Sequence, residues 1–294
     1  MHTIKNRTMK KLILIFALFI GIASMNAQEE KAQDSIKQGW SRAGNVLATF
    51  NQSAFNNEWT FGGVGNTAAN VLVNYDLNYV KGDFIWDNKI IIDYGVNKTK
   101  GQDNFIKNND RLEFNSLAGK KAKGNWYYSG YFNFKSQLDS GFIFDDNGNS
   151  VKTSHFFSPA YFQAGPGMLY KKSDNFNVNI SPAAAKLIIV HDELAGTFGT
   201  EAGKTSRFEL GASVRGYYKL DIMENISFEN ILVLYTNYLE EAKNVDVDYT
   251  ANIAMKINKY ISTNLVFQAI YDDNANPKGF QIREAFGLGF NYNF

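Results

Sequence analysis

Residues 287–294 read GLGFNYNF, and apolar and polar positions alternate strictly along them. Every second residue from Leu288 to Phe294 is apolar, so these side chains fall on one face of an extended strand. A last strand that ends in an aromatic residue is typical of outer-membrane β-barrel proteins, which present it to their insertion machinery. We therefore expect Gly289, Tyr292 and Phe294 to act as a membrane-insertion signal.

The same period of two recurs in about twelve segments from residue 44 onward, which predicts β-strands. It is clearest in Val245–Ile257, where apolar side chains alternate with aspartate, threonine and asparagine. Several segments exceed ten residues, longer than the usual strand of about five or six residues. The predicted strands are 45–53, 67–80, 84–98, 110–120, 125–137, 160–170, 175–190, 207–219, 226–238, 245–257, 261–272 and 281–294. Pro166 and Pro182 interrupt two of them, which indicates a bulge or an early strand end.

The connections between these strands alternate in length. The short ones are 81–83, 121–124, 171–174, 220–225 and 258–260, and the long ones are 54–66, 99–109, 138–159, 191–206, 239–244 and 273–280. Short periplasmic turns and longer extracellular loops are typical of outer-membrane barrels. An even number of strands then places both termini in the periplasm. Aromatic residues such as Tyr79, Trp86, Trp126 and Tyr170 lie beside the short turns and predict a periplasmic aromatic girdle.

The amino-terminal residues have the pattern of a secretory signal peptide. A basic segment precedes the apolar run Leu12–Ile22, and small residues follow it up to Ala27. We therefore expect a signal peptide over 1–27, a polar periplasmic linker over 28–43 and a transmembrane antiparallel β-barrel over 44–294. These predictions place the protein in the outer membrane of a Gram-negative bacterium, with membrane lipids and the barrel-insertion machinery as partners.

Composition excludes several classes of function. Four of the 30 basic residues lie in the predicted signal peptide, which leaves 26 basic against 29 acidic residues, a net charge of about −3. That balance argues against nucleic acid as a partner, because nucleic acid selects a basic face. The chain has no cysteine, so it has no disulfide framework, zinc thiolate site or cysteine nucleophile. No cofactor or metal ion is expected.

Several long runs resemble a known protein family. Among them are NWYYSGYFNFKSQ at 125–137, SPAYFQAGPGMLY at 158–170 and MKINKYISTNLVFQAIYDD at 255–273. The chain resembles a Bacteroidota family of secreted, β-rich proteins that is catalogued only as a domain of unknown function. The resemblance covers nearly all of the chain after the signal peptide. It implies a Bacteroidota source and an outer-membrane setting, and it supplies no activity or catalytic residues.

The face opposite the apolar one gathers charges of both signs and predicts a polar lumen. Candidate lumen-lining residues are Lys89, Asp93, Arg111, Glu113, Lys135, Glu209, Arg215 and Lys256, with Asp76, Asp246 and Asp248 among the further inward charges. One interpretation is a pore that selects a solute by charge. The other is a lumen filled by ion pairs and hydrogen bonds, with charges on strands 87–97, 111–119 and 207–217 pairing across the interior. Because the signs are mixed, strong ion selectivity does not follow.

Two functions therefore stay open, with a third far behind them. The first is a narrow channel for small hydrophilic solutes, and the second is a structural or assembly subunit of a larger outer-membrane complex, with a self-plugged lumen. The third is a lipid hydrolase of the Ser–His type. After the signal peptide only His155 and His191 remain, both in predicted loops, next to Ser154 and Asp192. Adjacent residues point to opposite faces of a strand, so neither pair suits a catalytic relay. A secreted β-sandwich is the alternative fold.

Overall fold

The computed structural model describes residues 38–56, 64–102, 104–144, 149–275 and 279–294. The predicted signal peptide and residues 28–37 of the predicted linker lie outside these residues. Among the described residues, no helix is long and apolar enough to cross a membrane.

Twelve strands form one closed antiparallel barrel, which confirms the predicted fold class. Two further strands, β6 and β7, form a separate hairpin. The strands are β1 (Gly39–Ser53), β2 (Asn66–Lys81), β3 (Phe84–Thr99), β4 (Ile106–Lys123), β5 (Trp126–Ser136), β6 (Gly141–Phe144), β7 (Ser150–Ser154), β8 (Ala160–Ser173), β9 (Phe176–Ile189), β10 (Ser206–Met223), β11 (Ile226–Asn237), β12 (Asp246–Lys256), β13 (Ile261–Tyr271) and β14 (Gln281–Asn293). Each barrel strand pairs with its neighbours in chain order, and β5 pairs with β8 across the hairpin.

The barrel closes where β1 pairs with β14. Asn45 lies opposite Asn293 and Thr49 opposite Gly289 in this register. Phe294 extends the seam, because its backbone N–H donates to Gly44 O at 2.9 Å and its carbonyl accepts from Gly44 N at 2.8 Å. A Cβ at Gly44 would lie only 2.5 Å from the Phe294 ring, so the missing side chain makes room for that ring. The ring also stacks on Tyr75 of β2, which joins three strands at the seam.

The alternation of side chains matches the predicted two faces. On β14, Ile282, Phe286 and Phe290 point outward, and each remains more than half exposed. Direct cross-strand partners share a face. Asp76 and Lys89 are direct cross-strand partners and therefore lie on the same face, the inner one. An apolar exterior around a largely polar interior is the arrangement of a barrel in lipid.

The structure corrects two predicted boundaries. The barrel begins at Gly39 rather than at residue 44, because residues 39–43 pair with residues 76–80 of β2 along their whole length. Those five residues are therefore strand and not linker. The predicted loop 138–159 is not irregular throughout, because it contains the β6–β7 hairpin, on either side of the Asn147-Gly148 pair that is typical of a hairpin turn.

Prolines mark the irregular region of the barrel, as predicted. The register between β8 and β9 shifts between Ala164 and Met168, the segment that contains Pro166. The register between β9 and β10 shifts opposite Pro182. Ser181 compensates for part of the lost pairing, because its hydroxyl donates to Pro166 O at 2.6 Å. Both strands continue through the bulge, since the barrel ladder resumes on each side of it.

A small apolar cluster lies inside the barrel near the short turns. Ile85, Tyr127 and Leu169 are buried there, and Val80 and Leu117 pack against them. These residues come from β2, β3, β4, β5 and β8 and share the inner face with polar residues. The charges of the inner face predict a polar lumen, and this apolar cluster within it is a finding that only the structure reveals. It fills one sector of the lumen at the short-turn end.

The assignment of faces can be tested on β12 and β13. Arginine at outward-facing Ile253 or Leu265 should lower the free energy of unfolding by roughly 2–4 kcal/mol, the cost of a cation facing the middle of the bilayer. Arginine at inward-facing Asn252 or Asn264 should cost far less, because these positions face the polar lumen. Urea unfolding in phospholipid vesicles measures the difference, and equal losses on both faces would contradict the assignment.

Candidate functional site: the charged lumen

One ion pair crosses the lumen. In this pair, Nζ of Lys135 on β5 lies 3.2 Å from Oδ2 of Asp248 on β12. Four strands separate β5 from β12 on the shorter way round the barrel, so the pair spans the interior between nearly opposite walls. Gln268 of β13 donates to the other carboxylate oxygen of Asp248 at 2.9 Å, which orients that carboxylate. This pair narrows the lumen at its level.

A second cluster, the Lys186 cluster, lies nearer the long loops. Lys186 Nζ lies 3.3 Å from Glu209, 3.3 Å from Asp246 and 3.6 Å from Asp272. Its ammonium also lies 5.0 Å from the ring centroid of Tyr235, a cation–π distance. The side chains of Lys186 and Glu209 are only 13% and 4% exposed, and Arg207 also pairs with Glu209 at 2.7 Å, so two cations offset these carboxylates away from bulk water.

The sequence analysis missed Lys186. It is the only charged residue in the run AAAKLIIV at 183–190, and Pro182 disturbs the alternation just before it. A parity count carried through the bulge therefore misassigns the faces of this strand. The signal that could have found it is the lone cation itself, since a charge in an apolar run needs a partner.

Arg111 and Glu113 pair along β4 instead of across the lumen. Arg111 Nε donates to Glu113 Oε2 at 2.7 Å, and its Nη2 contacts the same oxygen. Asn115 and Asn133 donate to the other oxygen of the carboxylate, at 2.7 and 3.4 Å. The expected pairing across the interior therefore does not hold for Arg111 and Glu113, whereas Asp87 and Asp93 of β3 pair with Lys171 at 2.9 Å and with Arg283 at 4.0 Å on strands that are not their neighbours. Residues two apart on a strand share a face, and side chains this long meet their own neighbours first.

The other predicted residues also lie on the inner wall. Lys89 pairs with Asp76 at 3.8 Å, and Asp93 accepts a hydrogen bond from Asn70 at 2.7 Å. Arg215 faces inward between Asn179 and Val233, its partners in the two neighbouring strands. Lys256 differs only in depth, because it has the inward parity of Asn252 and lies opposite Ser262 but ends β12 at the short-turn rim, where it is exposed. The candidate residues therefore form several groups along the wall and do not converge on one site.

Water reaches much of this inner wall. The side chains of Asp76 and Lys89 are 36% and 33% exposed, and those of Lys135 and Asp248 are 31% and 34% exposed. All four point into the barrel, so their exposure is exposure to the lumen. Charged side chains that keep this much contact with solvent need space around them, and the lumen is therefore wet at these levels.

Folded loops build a cavity at the long-loop end. Lys107 Nζ donates to Asp110, Gln137, the carbonyl of Asp139 and Ser154, all within 2.9 Å. These bonds fasten the β6–β7 hairpin to β4. The cavity has a volume of about 650 Å³, and its lining includes Lys107, Asp110, Phe142, Ile143, Phe198 and Arg283. Arg283 belongs to the inner wall of β14, so the cavity is a vestibule that adjoins the lumen.

The two histidines join the hairpin to the loop that follows β9. Their rings stack at 4.2 Å between centroids with an interplanar angle of 14°. Lys152 and Glu193 form an ion pair at 2.6 Å between the same two segments, and its hydrogen bond lowers the pKa of the Glu193 carboxyl below its ordinary value. Ser154 is bound to Lys107 instead of an imidazole, and no hydrogen bond in the described residues joins a serine hydroxyl to a histidine ring nitrogen. The histidines therefore act as a contact between loops and form no Ser–His relay.

Three carboxylates lie close enough to hold a metal ion. Oxygens of Asp246, Asp272 and Asp273 lie within 4.8 Å of one another. Lys186 already lies beside two of them, so its ammonium supplies the positive charge that a cation would bring. Among the described residues, Lys186 is thus the cationic partner of this group of three carboxylates.

Residues 50–142 match a family described as "Protein of unknown function (DUF3078)", which confirms the resemblance to an uncharacterised family over this segment. A comparison with curated proteins finds no significant match.

Solved structures of barrels are similar over most of the chain. The COG4313 outer membrane channel from Pseudomonas putida F1 shares 9% identity, with a TM-score of 0.40, over 90% of this chain and 99% of that one. The NanC porin shares 9% identity, with a TM-score of 0.40, over 85% and 98%. The translocator domain of the autotransporter NalP from Neisseria meningitidis shares 8% identity, with a TM-score of 0.39, over 98% of both chains. At these levels of similarity no function transfers to this chain.

The Lys186 cluster provides a test of the lumen's energetics. Lys186→Gln should lower the free energy of unfolding by about 3 kcal/mol, because removing one partner of a buried ion pair leaves uncompensated charge. Lys152→Gln is the matched control and should cost at most about 1 kcal/mol, since its pair with Glu193 is exposed. Denaturant unfolding in vesicles measures both. Equal losses would show that Lys186 is not held in a desolvated cluster.

The predicted insertion signal has a test of its own. Tyr292 and Phe294 lie on the outer face, more than half exposed, while Gly289 faces inward beside Thr49. Replacing Tyr292 and Phe294 with serine should leave the protein in the periplasm, degraded or aggregated, because the last strand loses its aromatic end. Immunoblotting of membrane fractions measures the outcome. Tyr128→Ser with Phe132→Ser on β5 is the control, and normal outer-membrane levels of the first variant would refute the signal.

Proposed function

We propose that this protein is a narrow outer-membrane channel for small hydrophilic solutes. The observation that carries the proposal is the wet, charged inner wall, where Asp76, Lys89, Lys135 and Asp248 keep about a third of their side-chain surface exposed. A barrel with a dry, packed interior would bury such groups or exclude them. The mixed signs favour small polar or zwitterionic solutes over strong ion selectivity.

The size of the barrel fits a narrow passage. Eight-stranded barrels have interiors that side chains fill, whereas barrels of 16–18 strands leave an aqueous channel. Twelve strands lie between these limits. The apolar cluster around Leu169 fills one sector of the lumen, and the Lys135–Asp248 pair crosses it at another level. Solutes would therefore pass beside these groups through a restricted opening.

The proposed location follows from the surface. The outer face carries exposed apolar and aromatic side chains on consecutive strands, which suits lipid. The short turns would face the periplasm and the long loops the exterior, with the vestibule as the external entrance. The insertion machinery would be the partner that recognises the last strand. We propose no catalytic role.

A second candidate is a scaffold in a larger outer-membrane complex, with a lumen closed by its own side chains. The Lys135–Asp248 pair specifically favours it, because a bond between nearly opposite walls obstructs passage. On that proposal the ion pairs and the apolar cluster replace the packed core of a soluble protein. The loops around the vestibule would then supply the surface that contacts partner proteins.

Planar-bilayer conductance distinguishes these candidates. The wild type should show a small, stable conductance, and Lys135→Gln with Asp248→Asn should raise it severalfold, because both charges of the crossing pair are removed without changing net charge. Lys152→Gln with Glu193→Gln is the matched control, since it removes an ion pair outside the lumen. The control should conduct like the wild type.

The remaining outcomes separate the two candidates. No conductance from the wild type and none from the Lys135/Asp248 variant would reject the channel and support the scaffold. A large wild-type conductance that the variant leaves unchanged would show that the crossing pair does not narrow the passage.

A further inference from the structure

The structure carries a cluster of basic and aromatic side chains on its outer face at the short-turn end. We infer that this surface, the lysine patch of Lys120, Lys123 and Lys172 with Trp126, Tyr128 and Tyr170, binds the phosphate of anionic phospholipid headgroups. The inference goes beyond transport, since it concerns the outside of the barrel. It rests on the barrel lying in the outer membrane with its short turns toward the periplasm.

The register places lysines and aromatic rings on the same face. Lys120 of β4 lies directly opposite Tyr128 of β5 on one side and Phe84 of β3 on the other. Lys123 lies opposite Trp126 across the bulge that ends the same ladder. Tyr128 is 64% exposed, whereas Tyr127 beside it is buried in the inner apolar cluster. The outward direction of this group therefore follows from the alternation of the strand.

The aromatic rings form a belt at one level of the barrel. Trp126 lies 5.1 Å from Tyr170 between ring centroids, and Tyr170 lies 6.3 Å from Phe176. Trp40 lies 4.9 Å from Tyr79 on the strands that precede β3, which continues the belt. Tryptophan and tyrosine settle at the headgroup level of a membrane because their rings are amphipathic. Lys120 and Lys123 lie within this belt, opposite Tyr128 and Trp126, and Lys172 lies two residues beyond Tyr170, so the three ammonium groups reach the level of the lipid phosphates.

The lysines of the patch are available for an external anion. Lys120, Lys123 and Lys172 are exposed, and none of them forms an ion pair with another described residue. The carboxylates nearby in sequence are Asp83 and Asp174. Asp174 lies 3.2 Å from Lys171, which also pairs with Asp87 at 2.9 Å, and among the described residues neither Asp83 nor Asp174 forms an ion pair with a lysine of the patch. The ammonium groups thus reach the headgroup layer on flexible stems, while those stems cover apolar surface.

The choice of occupant follows from charge and depth. A phosphate diester supplies one negative charge at the level of the belt, and its acyl chains would lie along the exposed rings below. Lysine binds phosphate as a compact point charge, which requires no fixed orientation of the headgroup. Each lysine near an anionic membrane surface contributes roughly a fivefold preference, equivalent to about 1 kcal/mol. Phosphatidylglycerol is therefore the probe of choice for this surface.

Native mass spectrometry of the purified, folded barrel tests the inference. The protein is mixed with equal amounts of phosphatidylglycerol and phosphatidylcholine, and the retained lipids are counted. The wild type should retain phosphatidylglycerol in preference, and Lys120→Gln with Lys123→Gln and Lys172→Gln should reduce that preference about a hundredfold, on the order expected for three lysines at roughly fivefold each. Lys100→Gln with Lys204→Gln and Lys243→Gln removes three exposed lysines from the long-loop end and should leave it unchanged.

Two further measurements test whether the preference for phosphatidylglycerol depends on the charge of the lysine patch. The wild-type preference should fall as salt is raised, because exposed charges are screened, and this arm needs no variant. Lys120→Arg with Lys123→Arg and Lys172→Arg keeps the charge and should keep the preference.

Several results would overturn the inference. Equal retention of both lipids by the wild type would do so, and would leave these lysines to an acidic protein partner. The inference would also be overturned if the triple glutamine variant at the long-loop end lost as much preference for phosphatidylglycerol as the triple glutamine variant of the lysine patch. None of these readouts depends on conductance, so failure here and failure of the proposed channel are separable.

Discussion

Backbone hydrogen bonding in lipid is the constraint on which the rest of this structure depends. No water is available in the hydrocarbon layer, so every strand edge must find a partner within the protein. The pairing of β1 with β14 removes the last two edges, and the backbone of Phe294 continues that pairing to Gly44. The glycine is needed there because a side chain would collide with the aromatic ring. Closure therefore depends on a backbone ladder and on one close contact at its end.

Closure in turn creates an interior that has to be filled or hydrated. Three kinds of side-chain arrangement fill different sectors of the interior. Apolar side chains pack around Leu169 near the short turns, ion pairs such as Lys135–Asp248 bridge the middle, and the Lys186 cluster neutralises carboxylates near the long loops. Opposite charges in a partly dehydrated lumen attract one another more strongly than they would in bulk water. The same charges that hold the walls in place also limit the passage, so stability and permeability are coupled.

The two ends of the barrel differ in a way that follows from their connections. Short turns leave little backbone to cover the rim, and lysines and aromatic rings remain exposed there. Long connections fold back on themselves, and Lys107, the stacked histidines and the Lys152–Glu193 pair fasten them into a vestibule. One end is thus shaped to meet a lipid surface, and the other is shaped to enclose space.

The sequence by itself determined the strands and their two faces. A period of two is a local property, and all twelve barrel strands and the bulge at Pro166 could be predicted from it. Which charges meet was decided only by the tertiary structure. Lys135 pairs with Asp248, which lies 113 residues away in the sequence, whereas Arg111 pairs with Glu113 on its own strand. No local sequence pattern distinguishes a distant partner from a neighbouring one. Lys186 was hidden by a change of parity at Pro182, and the inner position of Leu169 became visible only when the strands were paired. The physical reason is that closing the barrel sets distances across the lumen, whereas alternation sets only the direction in which each side chain points.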